Sequence, residues 1–374
     1  MMQFSSLESV RHRLAVGRPL PFSVRDADRT LLLARGQVID SHDQLQALFT
    51  RGCLVDLAEL RSPQDAVRHA PAEQLPALWS RCLDHVGHTL LHCEDEGFAD
   101  ALDEVSGPVQ ALIERDPDLA IFQVLRQDDC DCTRYGVRHS IHTAITSFLV
   151  AQRLGWDAPD LQRVFKVALT MNLSMLELQG QLAEQTTPVT PEQRQAILSH
   201  PERSVAMLQL AGVRDEAWLQ GVRHHHVAPD GSGYPAGVAE VNDHAALVRR
   251  ADIYTAKLSP RSTRAAMAAD RAGRAMFMHD PGNSMTAALV KEFGVYPPGC
   301  CVKLASGETA IVVKRGASVI TPRVAVLTTA GGLPLAEPQP RDTAQRDHAI
   351  VGVIGEHAAP LRVPPEKLVS LALA

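Results

Sequence analysis

The spacing of apolar residues changes twice along this 374-residue chain, and each change marks a different kind of structure. From Val16 to about Leu60, short apolar runs alternate with polar turns. Pro21–Val24 and Leu31–Leu33 read as strands joined across Arg25–Arg29, and Cys53–Leu57 reads as a third. Between them, Ser41-His42-Asp43-Gln44 reads as a capping box opening a short helix through Leu45, Leu48 and Phe49, with Gly52 as its stop. The charged stretch from Arg61 to about Ala72, holding Pro63 and Pro71, reads as a linker. From about Leu75 to Met278 apolar residues recur every three or four positions, as in Leu78, Cys82 and Val86, or Ile145, Phe148 and Leu149. Asp157 starts one helical region there, and Thr190-Pro191-Glu192-Gln193 is a capping box with Pro in the first turn. Gly212 closes the helix of Val205, Leu208 and Leu210, and Asp215 opens another that runs through Trp218 to His225 and His226. Beyond Pro281 strand signals return: Cys301–Leu304 and Thr309–Val313 across the turn at Ser306-Gly307, then Val324–Leu327 and Ala349–Ile354.

The pattern predicts a mainly α chain with small β-rich modules at both ends. Its expected divisions are a β-rich module over 1–65, a helical connector over 66–125, a helical domain over 126–290 and a β-rich subdomain over 291–374. The length suits two or three domains. A net charge of −6 argues against wholesale binding of duplex nucleic acid. No run approaches the roughly 20 apolar residues of a membrane span, and the first 20 residues lack the apolar core of a signal peptide. Seven cysteines form no disulfide framework, and an odd number fits a reducing cytosol, so a cytoplasmic location is expected. Cys130-Asp131-Cys132 is too tightly spaced for a zinc knuckle by itself and is expected to hold free thiols.

Chemistry concentrates in His224-His225-His226-Val227-Ala228-Pro229-Asp230-Gly231-Ser232-Gly233-Tyr234-Pro235. Imidazole is the commonest metal-binding side chain, and the Gly- and Pro-punctuated loop after it can bring a ligand close. Gly231 and Gly233 permit positive φ and close backbone approach. His139 lies at the start of the Ser140–Leu154 helix, and His200 precedes Pro201 at an expected helix N-terminus. Asp252 follows Ala251 on an otherwise apolar helix, where a buried carboxylate must be paired or metal-bound. Taken singly, each of these is an ordinary structural or surface residue; their order is what singles them out.

That order resembles the HD-GYP family of bacterial cyclic di-GMP phosphodiesterases. Tyr135–Ser140 resembles the family's first His-Ser segment, and Ser199-His200-Pro201-Glu202 its His-Pro-Glu segment. The HH…DGSGYP string is its signature, and Ala251-Asp252-Ile253-Tyr254 with Arg261 and Arg264 resembles its final Asp helix and arginine-bearing turn. The likeness runs from roughly Tyr135 to Gly307 and implies an HD-superfamily helical bundle. In that family two or three metals, bridged by carboxylates, hold the nucleophile and the scissile phosphate. The resemblance therefore implies His139, His200, His225, His226 and Asp252 as metal ligands. It further implies Asp230, Gly231, Gly233, Tyr234 and Pro235 as a ligand- or partner-binding loop, and Arg261 and Arg264 as phosphate contacts.

The pattern breaks where the family's His-Asp pair belongs. In Ala168–Met175, Met171 stands for the His, Asn172 for the bridging Asp and Met175 for a Lys. Val227 stands where a Glu is expected, and Thr255 where a second Asp is usual. A thioether is a poor ligand for hard cations, and Asn offers no charge. Three functions stay open: a protein that binds cyclic di-GMP, a related nucleotide or a signalling partner without efficient cleavage; a metal-dependent hydrolase with an incomplete site; and a scaffold that needs no nucleotide. The substitutions favour the first, with one divalent metal (Fe, Mn or other) or none.

Overall fold

The computed structural model describes residues 3–60, 62–126, 134–238 and 240–354; Cys130 and Cys132 lie outside them. The chain divides into two compact units, Met1–Ala70 and Pro71–Ala374.

In the first unit β1 (Phe4–Ser6), β2 (Val24–Arg25) and β3 (Leu31–Leu33) join β4 (Leu54–Asp56) in an antiparallel sheet of order β1-β4-β2-β3. Between β3 and β4 lies α1 (His42–Thr50), capped by the Ser41 hydroxyl, which accepts from the Gln44 amide. β4 runs into α2 (Leu57–Leu60). Leu7, Phe22, Val24, Ile39, Cys53 and Val55 form this unit's core. The expected linker is not extended. Residues 63–69 form α3 (Pro63–His69), because Ser62 caps the Asp65 amide and Pro63 occupies a first-turn position that needs no N–H donor. Charge and proline content masked this N-terminal signature.

The second unit is helical through α4 (Leu75–Leu91), α5 (Phe98–Arg115), α6 (Pro117–Leu125), α7 (Tyr135–Leu154), α8 (Ala158–Thr170), α9 (Leu176–Glu184), α10 (Pro191–Leu210), α11 (Glu216–His224), α12 (Asp243–Leu258), α13 (Ala269–His279) and α14 (Ser284–Phe293). α7 is the central rod: every residue from His139 to Ala151 is buried. A helix enclosed on all sides needs either apolar or internally satisfied polar residues. Thr143 meets the second requirement by donating to the His139 carbonyl at 2.8 Å and meeting the Thr255 hydroxyl of α12 at 3.0 Å. Gly136 lets the start of α7 touch the start of α9: a Cβ there would sit 2.3 Å from the Leu176 carbonyl oxygen. We predict that Gly136→Ala costs about 1–3 kcal/mol, as overpacking against backbone does. Urea unfolding with an unchanged midpoint would show that the two helices yield freely.

Four sequence expectations shift. His200 sits inside α10 rather than at a helix start, since the capping box at Thr190 and Gln193 begins the helix ten residues earlier and Pro201 is accommodated within it. α11 ends at His224, with His225 as its C-cap. β1 was not foreseen because three residues carry no period. Also unforeseen was β8 (Pro334–Asp342), whose prolines mask a strand confined to a sheet edge. It closes one side of an antiparallel sheet of order β8-β7-β6-β5-β9, with β5 (Cys301–Leu304), β6 (Thr309–Lys314), β7 (Arg323–Thr328) and β9 (Ile350–Ile354). Arg315 ties this sheet to the helices through ion pairs with Asp118 of α6 and with Glu292 of α14, the latter at 2.8 Å. Among the described residues no helix is long and apolar enough to cross a membrane.

Candidate metal centre

Helices α10, α11 and α12 converge with the start of α7 around a cavity of about 210 Å³. Tyr135, His139, Asn172, Gln179, His200, His226, Tyr234, Asp252 and Arg261 are among its lining residues. Residues 113 positions apart in the chain meet there, as His139 and Asp252 do.

The imidazoles of His200, His225 and His226 each bring a ring nitrogen within 4.8 Å of the others. His200 and His225 are oriented by backbone. The Nδ1–H of His200 donates to the Ile197 carbonyl at 2.6 Å, and that of His225 to the Val222 carbonyl at 2.7 Å. A carbonyl only accepts, so both protons must sit on Nδ1 and both Nε2 atoms of the neutral rings are bare acceptors. These two acceptors face each other at 3.2 Å. Neutral imidazoles in these tautomers cannot hydrogen-bond there, and their lone pairs repel. Burial, reinforced by the His225 charge, pushes His200 down to about 3. Burial also lowers His225 and His226. The rings are therefore neutral near pH 7. Two nitrogens bound tetrahedrally at roughly 2.0–2.1 Å from one ion lie about 3.3 Å apart, so the separation suits a shared cation. The donor set fits one such ion, held by His200, His225 and His226.

Asp252 and His139 do not join that cluster. The His139 Nε2–H donates to one oxygen of the Asp252 carboxylate at 2.6 Å. Burial works against the carboxylate's charge, but the bond and charge of His139 outweigh it and hold the group below the ordinary carboxylate range. The His139 Nδ1 is buried without a hydrogen-bond partner. Asn172 is 2% exposed, and its amide oxygen is also buried and unpartnered in the cavity wall. Met171 is fully buried, and Thr255 spends its hydroxyl on Thr143 and its own helix's carbonyls.

The loop after the histidines is clamped onto them. A Cβ on Gly233 would lie 2.1 Å from the His226 carbonyl oxygen, and the Tyr234 amide donates to that same oxygen at 3.2 Å. The Tyr234 ring then stacks on His226 with centroids 4.6 Å apart, and burial raises its phenol. Gly231 takes a φ of 76°, while Asp230 is exposed and accepts from the Ser232 amide and hydroxyl. Asp230 and Gly231 thus shape the turn, and Tyr234 is the loop residue that lines the cavity. Pro235 follows it across a cis peptide bond.

Arg261 reaches the cavity mouth, where its Nε–H donates to the Tyr135 hydroxyl at 3.2 Å and its guanidinium lies 5.5 Å over the Tyr135 ring. Arg264 does not reach it: it is exposed and donates to the Ala256 carbonyl near the end of α12. Gln179, Leu182 and Ile197 also line the cavity and carried no sequence signal, since a Gln on an amphipathic helix looks like any solvated residue.

Residues 131–279 match the HD domain family. The chain is 27% identical over 241 residues to the cyclic di-GMP phosphodiesterase PA4108 of Pseudomonas aeruginosa. That match covers 62% of this chain and 56% of the relative, so the chain spans little more than half of that protein's length. Bd1817, an HDG"Y"P protein from Bdellovibrio bacteriovorus, shares the fold with a TM-score of 0.50 at 15% identity, over 78% of this chain and 99% of that one.

Proposed function

The chain belongs to the HD-GYP family, and from that premise we propose that it is a one-metal, cyclic di-GMP-binding member that cleaves its ligand poorly or not at all. The observation that carries this reading is the division of the donors. Three neutral imidazoles converge, while Asp252, the one acidic side chain lining the cavity among the described residues, is engaged by His139. The same cavity wall holds Asn172, a neutral amide where a bridging carboxylate would be needed to hold a second cation close to the first.

A divalent cation held by His200, His225 and His226 would polarise a phosphoryl oxygen and acidify water. The protein's own groups do the binding. Arg261, steadied over Tyr135, supplies a guanidinium for a phosphate at the mouth, and Tyr234 lines the same space. The loop from Asp230 to Pro235, clamped at Gly233, also offers an exposed turn for a signalling protein.

Metal analysis of anaerobically purified protein, with a cyclic di-GMP binding and turnover assay, tests the reading. Close to one metal per chain is expected, with nucleotide bound and no linear pGpG or GMP formed. His225→Ala should bring the metal content near zero while the circular dichroism spectrum is kept. Sustained product formation with Mn(II) or Fe(II) would favour the hydrolase instead, and absence of both metal and nucleotide would leave a scaffold.

A further inference from the structure

The cavity has two chemically distinct sides, and the second carries no metal donor. Close contacts group that side together. Gly136 of α7 abuts the Leu176 carbonyl of α9, Ser262 donates to the Ala183 carbonyl of α9 at 2.8 Å, and Arg261 bonds Tyr135. α9 contributes Gln179 and Leu182 to the lining, and Met175, Ile197 and Ala256 add further apolar surface. Among the described residues the Gln179 side-chain amide oxygen is buried with no hydrogen-bond partner. An unmet buried acceptor is destabilising, so the fold gains nothing from placing it there.

The geometry points to Gln179 as the residue that reads the base of the bound nucleotide, its amide oxygen accepting from the exocyclic amine of a guanine. This rests on the nucleotide-binding reading above. A bare carbonyl oxygen repels phosphate oxygens and selects an N–H donor. The apolar side chains around it suit the faces of a flat heterocycle, and the Arg261 guanidinium over Tyr135 stands where the attached phosphate would leave the cavity. A volume of about 210 Å³ is below the roughly 300 Å³ at which pockets enclose whole drug-sized ligands. It therefore takes one base of a cyclic dinucleotide, with the rest of the ring outside.

The test compares equilibrium binding of cyclic di-GMP with that of its inosine counterpart, which lacks only the exocyclic amines, on the full chain. Wild type is expected to prefer the guanine ligand about tenfold, the effect of one buried hydrogen bond. Gln179→Leu should bring the ratio close to one with inosine-ligand affinity nearly unchanged, whereas Gln179→Glu, still an acceptor, should keep the preference. An unchanged ratio in Gln179→Leu, a lost one in Gln179→Glu, or equal binding of both ligands by wild type would each overturn the role of Gln179 and leave nucleotide binding standing. Failure of wild type to bind either ligand would bring down the nucleotide reading itself, and this role with it.

Discussion

Met171→His combined with Asn172→Asp is expected to raise cyclic di-GMP hydrolysis by roughly two orders of magnitude or more when Mn(II) or Fe(II) is supplied. The Asn172 amide oxygen has no partner to lose, so a carboxylate there breaks no existing bond. What it adds is a buried negative charge beside three imidazoles, able to hold a second cation close to the first. Without metal the same charge is costly, because an isolated buried carboxylate lacks both water and a counter-ion. The double variant should therefore melt below wild type in chelator and recover on metal addition, and its metal content should rise from about one to two per chain. Two bound metals without any gain in turnover would show that the deficit lies elsewhere, for example at Val227.

Metal-free protein should lose stability steeply between pH 6.5 and pH 5. Burial, with the neighbouring charges of His139 and Arg138, holds His142 down to about 3, and burial with His225 does the same to His200. A group whose folded pKa lies below its unfolded value leaves the unfolded chain binding more protons. Its stabilising contribution is complete above about pH 6.5 and is lost as pH falls toward 3. Each such histidine costs about 2 kcal/mol between pH 7.5 and pH 5, so these two alone cost about 4 kcal/mol. The lowered His225 and His226 act in the same direction. Urea unfolding in chelator at pH 7.5 and pH 5.0 measures the difference. Equal midpoints would mean that these rings accept protons freely in the folded state.

The parts of the site legible in the sequence were those where residue type alone carries the chemistry. His225 and His226 are adjacent in the chain and followed by two glycines, and Met171 and Asn172 are recognisable as replacements once the order of motifs is read. The division of labour among donors was not legible. That Asp252 meets His139 depends on a 2.6 Å contact between α7 and α12, which no local pattern encodes. Arg261 and Arg264 looked equivalent three residues apart, yet one is turned onto Tyr135 and the other folds back on the end of α12.

By itself the sequence determined the succession of elements: a small β-rich module, a long helical region and a β-rich end, together with the ligand types present. Apolar periodicity and capping residues act over one or two turns, so they survive in a linear reading. Only the tertiary structure decided that two bare Nε2 atoms meet at 3.2 Å and that the Gln179 amide oxygen is stranded in the cavity wall. Those facts arise from packing between helices distant in the chain, where burial removes water and each polar atom must find a partner or a ligand.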